Sequence, residues 1–66
     1  MKEYILNQEN ILRQKYQKKW DAHNVYAKHI GQEKDNSNNF IFCVFQIDSM
    51  SRTIVKQEHV AVLKEN

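Results

Sequence analysis

One cysteine, one glycine and no proline occur in 66 residues. The lone Cys43 excludes an internal disulfide, and no Cys/His cluster has the spacing of a structural metal site, so two usual staples of small domains are missing. Gly31 alone cannot build a glycine-rich phosphate loop. The longest unbroken apolar run, Phe40 to Phe45, falls far short of the roughly 18 residues of a membrane span. No basic start followed by an apolar core opens the sequence, so no secretory signal is expected. With a single cysteine, this points to a cytoplasmic protein. The missing proline, eight lysines against two arginines, seven asparagines and three alanines have the bias of AT-rich coding, as in a low-GC bacterium or one of its phages.

What is present reads as globular. Charged residues at 27% and hydrophobic ones at 41% lie near the globular average, which argues against wholesale disorder. At 8.0 kDa, residues 1–66 form a single small domain. Ordering such a chain costs roughly 1.5 kcal/mol per residue, and apolar burial must offset nearly all of it, so the core is marginal. The staple that remains is association with another chain. The formal net charge of +2 is uneven: residues 1–34 carry seven basic and four acidic side chains, residues 35–66 three and four.

Apolar residues of the first half recur at helical spacing: Ile5, Leu12, Tyr16, Trp20, Ala27 and Ile30, with His23 in the same row. The pattern predicts one long helix over about residues 3–30, closed by Gly31 in a left-handed conformation. An alternative start places Asn7 at the N-cap with Leu6 stapled onto Ile11, leaving Lys2 to Leu6 as a short strand and giving a βαββ order. Residues 31–39 are polar and rich in turn formers, and read as a loop. Phe40 to Asp48 reads as a strand, Ser49-Met50-Ser51 as a tight connection with Asp48 bonding the backbone two residues on, and Thr53 to Leu63 as a second strand. The fold class is therefore α+β, a long amino-terminal helix followed by a β-hairpin over residues 40–63. Three-residue and four-residue loops would pair opposite faces, and the sequence does not choose between these registers.

Two mismatches follow. A helix over residues 3–30 would be about 42 Å long, against under roughly 30 Å for a compact globule of this size, so it must break or project, and Asp21 to Asn24 is its weakest stretch. The first strand is apolar on both faces, Ile41, Cys43, Phe45 and Ile47 on one and Phe40, Phe42 and Val44 on the other, and one helix covers only one of them. Both mismatches are relieved in a homodimer, built through helices or strands.

Catalytic signatures are absent, which points away from an enzyme, and no cofactor or metal is expected. His23 reads as a packing histidine and Cys43 as a buried, inert thiol. Phe40, Phe42 and Phe45 read as core residues, because no basic residue lies among them to serve a base-stacking platform. A second row along the helix, Tyr4, Ile11, Lys15, Lys18, Ala22, Val25 and His29, is basic in the middle and apolar at its ends. The reading adopted is a small non-catalytic binding protein, a regulator or inhibitor that docks on another protein through Ile11, Lys15, Lys18, Ala22, Val25 and Tyr26. The alternative is a nucleic-acid-binding regulator using the basic segment 13–19, with Arg13, Lys15, Lys18 and Lys19 toward phosphates. Membrane-surface binding is disfavoured, because the apolar row lacks bulky Leu and Phe.

Overall fold

The computed structural model describes residues 2–33 and 39–64. Helix α1 (Lys2–Lys19) is followed by strands β1 (Val25–Gln32), β2 (Phe40–Ile47) and β3 (Ile54–Val62). The strands form one antiparallel sheet in the order β1-β2-β3. The α+β class holds, but the hairpin gains a third strand and the expected helix over residues 3–30 is two elements. Lys2 to Leu6 belong to α1, so the βαββ alternative does not occur. Of the expected loop, Gly31 and Gln32 lie in β1, and residues 34–38 lie outside the described residues.

The helix stops where the sequence is weakest. Asp21 takes the left-handed conformation at φ 48°. Around it the Ala22 N–H donates to the Gln17 carbonyl at 3.1 Å and the Asp21 N–H to the Lys18 carbonyl at 3.2 Å. That pair of bonds is a Schellman cap, with Asp21 at the position where glycine is usual. Asn24, at φ 57°, turns the chain again before β1 begins. Gly31 closes nothing: it pairs with Ile41 in the sheet, just past a bulge at Ile30, and its φ is not positive. A Cβ added there would meet nothing within 4 Å. Asp21→Gly and Gly31→Ala are therefore both expected to raise stability, each by about 0.5–1 kcal/mol, because glycine sits where it is not needed and is missing where it is. Urea midpoints check both; a loss in Gly31→Ala would show that the bulge at Ile30 requires glycine beside it.

The helix, about 27 Å long at 1.5 Å per residue, lies across one face of β1 and β2 and matches the length of the strands. Ile5, Leu12, Tyr16 and Trp20 form its inward stripe. They meet the sheet row by row, with Val25, Ala27, Phe40, Phe42 and Val44 buried and Val60 and Val62 packed beside them. Phe42 and Val44 are fully buried.

At the far end of the sheet, Asp48 organises the β2–β3 turn as its sequence suggests. Its Oδ1 accepts the Met50 N–H at 2.8 Å and the Ser51 N–H at 3.0 Å. These donors, Ser51 foremost, hold its carboxyl below the ordinary carboxylate range. The Asp48 N–H donates to the Thr53 carbonyl at 2.9 Å, so Ser49 to Arg52 form the loop and the register left open by the sequence is decided, with Ile47 opposite Ile54.

Candidate functional site

The two faces of the sheet differ in chemistry and in cover. On the helix side the rows run Val25–Gln46–Lys56, Ala27–Val44–Glu58 and His29–Phe42–Val60. Two polar members of these rows, Glu58 and Lys56, meet side chains of α1 and of Trp20 just past its end. The Tyr16 hydroxyl donates to Glu58 Oε1 at 3.1 Å and Lys19 Nζ stands 3.6 Å from Glu58 Oε2. The Lys19 ammonium also lies 4.9 Å from the Tyr16 ring centre, and Lys56 lies 5.5 Å from the Trp20 ring. Trp20 meets Tyr16 edge to face at 4.9 Å. Burial, then the hydrogen bond and charge of Glu58, raise the Tyr16 phenol above its ordinary 10.0.

This raised phenol carries a pH signature. The folded chain keeps the Tyr16 proton where the unfolded chain releases it, so the contribution is complete below pH 10 and is lost as pH rises through the folded value. Urea unfolding of the wild type is expected to weaken above pH 10 more steeply than that of Tyr16→Phe. Parallel profiles would show that the phenol is not coupled to folding.

His29, on the covered face, is set between Phe40 and Phe42, with ring centres at 5.2 and 5.4 Å. Its backbone N–H donates to Glu9 Oε2 of the helix at 2.8 Å. The packing histidine is thus His29; His23, expected in that role, is exposed in the turn before β1.

The opposite face has no element over it among the described residues. Its rows are Tyr26–Phe45–Gln57, Lys28–Cys43–His59 and Gly31–Ile41–Ala61, with Ile47 and Ile54 beyond. Tyr26 and Phe45 stack at 5.8 Å. Tyr26 is 42% exposed and Ile54 53%, while Ile41, Cys43, Phe45 and Ile47 are half-buried by their neighbours alone. Ile30 and Val55, at the two bulges, are more than half exposed. A run of large apolar side chains without a covering element marks an interaction surface. No carboxylate belongs to these rows; Lys28 and His59 stand on the outer strands, and the central strand presents only Ile41, Cys43, Phe45 and Ile47 to this face.

The residues chosen from sequence as a docking row do not share a surface. Ile11, Lys15 and Lys18 are exposed on α1, Ala22 packs against the core, Val25 is 1% exposed within it, and Tyr26 faces the other side of the sheet. The row depended on a helix continuing past Lys19. Of the basic segment, Lys15 and Lys18 are exposed, Arg13 is half-buried and Lys19 is paired with Glu58. Cys43 is half-buried on the open face and not enclosed in the core. Ile41, Cys43, Phe45 and Ile47 were recognisable as one face of a doubly apolar strand, and that double character was the signal for the site.

Among the described residues, no group of three or more His, Cys, Asp or Glu side chains could hold a metal ion. No helix among them is long and apolar enough to cross a membrane. Compared with known proteins, the chain matches no protein family, no curated protein and no solved structure.

Proposed function

We propose that this chain is a non-catalytic protein-binding domain, a regulator or inhibitor that acts by occupying a partner's surface with the open face of its sheet. The observation that carries this reading is the uncovered apolar centre formed by Ile41, Cys43, Phe45 and Ile47, with Tyr26 stacked on Phe45. An apolar centre with Lys28, Gln57 and His59 on the outer strands has the layout of a protein interface, where a dry middle excludes water and polar groups form the rim. The basic helix surface at Lys15 and Lys18 supports a nucleic-acid contact less well, since Lys19 is drawn to Glu58 and Arg13 is half-buried.

Capture of a protein from native-host extract, compared among the wild type, Phe45→Glu and Ile11→Asp, tests the reading. Loss with Phe45→Glu and retention with Ile11→Asp is the expected result. The reverse pattern would move the partner to the helix, and steeply salt-dependent binding to nucleic acid, abolished by changing Lys15 and Lys18 to Glu, would replace the partner class.

A further inference from the structure

We infer that the open face is occupied by a second copy of this chain, packed sheet on sheet about a two-fold axis running along β2. This places a second copy on the surface proposed above, to be displaced when another protein docks there, and rests on that surface being an interface. Three observations lead to it.

The first is the symmetry of the patch. The apolar residues Ile41, Cys43, Phe45 and Ile47 lie on the middle strand, while Lys28 and His59 lie on the strands to either side. A two-fold axis along the middle strand lays β2 over β2 of the second copy, apolar on apolar, and places β1 over β3. Lys28 then falls at the margin opposite His59 of the second copy, and Tyr26 opposite Gln57, where water reaches the polar ends. Such a self-complementary arrangement is what an isologous interface requires. It also matches aligned sheet packing, with the layers about 10 Å apart.

The second is charge. With no carboxylate in the rows Tyr26–Phe45–Gln57, Lys28–Cys43–His59 and Gly31–Ile41–Ala61, an apposed copy buries no unpaired acid over the apolar centre, and Lys28 stays at the rim.

The third is area. Three strands of about eight residues, spaced about 4.8 Å apart, present roughly 600 Å² of accessible surface once side chains are included. Two such faces bury about 1,200 Å², the lower bound of a stable specific interface. The chain itself exposes 5007 Å², against roughly 4,500 Å² for a folded monomer of its mass.

Cys43, the sole cysteine, lies at the centre of the proposed interface and reports on it. The experiment measures mass by light scattering and the rate of Cys43 alkylation by iodoacetamide across protein concentrations. At tens of micromolar, a mass twice the chain's 8.0 kDa is expected, with alkylation slowed about tenfold relative to the dilute protein, as mass action requires when little monomer remains. Phe45→Glu is expected to give the monomer mass and concentration-independent alkylation with unchanged far-UV dichroism. Tyr26→Glu, at a more exposed position, provides the same readout if Phe45→Glu does not fold. A dimer whose Cys43 reacts at the dilute rate, and which survives both variants, would overturn the proposal and place association at the β3 edge or the helix. A wild type monomeric at every concentration also overturns it. In that case, protection of Cys43 by a captured protein leaves the docking surface standing, and absence of protection removes both readings.

Discussion

Replacing Phe42 with alanine is expected to remove most of the domain's stability at room temperature. The side chain is fully buried at the centre of the middle strand, with His29 and Val60 on either side in its row. Truncating such a phenylalanine removes its burial and leaves a cavity the sheet cannot collapse to fill, at a cost of about 3–5 kcal/mol. A chain of 66 residues has roughly 3–10 kcal/mol of stability in all. Trp20, the only tryptophan, packs on Tyr16 at the helix–sheet boundary and reports the transition by fluorescence. Phe42→Leu, which keeps most of the volume, is expected to unfold cooperatively at a lower urea midpoint. A cooperative Phe42→Ala variant with a nearly unchanged midpoint would show that the core is not centred here.

Neighbouring residues on opposite faces set up the second expected result. Val25 is 1% exposed and Tyr26 42%. Val25→Asp places a carboxylate among Leu12, Tyr16 and Val44 with no described cation in the cluster. The expected loss is at least about 4 kcal/mol, as for other unpaired buried charges, and folding is abolished or becomes dependent on acid pH. Tyr26→Asp puts the same charge on the open face, where water solvates it, and its unfolding midpoint in the dilute protein is expected to change little. Dichroism and urea titration of both variants at low protein concentration decide the matter. Equal losses would mean that the two side chains do not lie on opposite faces; a stable Val25→Asp would restore Val25 to a surface role.

The same pair of residues shows why part of the fold could not be read from sequence. Val25-Tyr26-Ala27-Lys28-His29-Ile30 satisfies two periods at once. Ala27 and Ile30 continue the helical stripe from Trp20, and Val25, Ala27 and His29 alternate with Tyr26 and Lys28 as a half-buried strand does. Over six residues, periodicity alone does not separate these. The length mismatch of a helix over residues 3–30 pointed to a break near Asp21 to Asn24. That is where two non-glycine residues adopt positive φ. Gly31 misled because glycine closes helices often, yet here it follows a β-bulge.

The inward stripe Ile5, Leu12, Tyr16 and Trp20, the strand over Phe40 to Ile47, the Asp48 turn and the two-faced apolar character of β2 were all set by local spacing and side-chain chemistry. These features depend on residues within a few positions of one another. What only the tertiary structure decided was the third strand and the use made of each face. A helix of 18 residues covers one side of the sheet, and once it packs over Phe42 and Val44 the side chains of Ile41, Cys43, Phe45 and Ile47 point away from it by the alternation of the strand. The candidate site is thus a consequence of pairing β1 with β2. Non-local hydrogen bonding converted residues 25–32 from the end of a helix into an edge strand, and brought Tyr26 and Lys28 onto the open face.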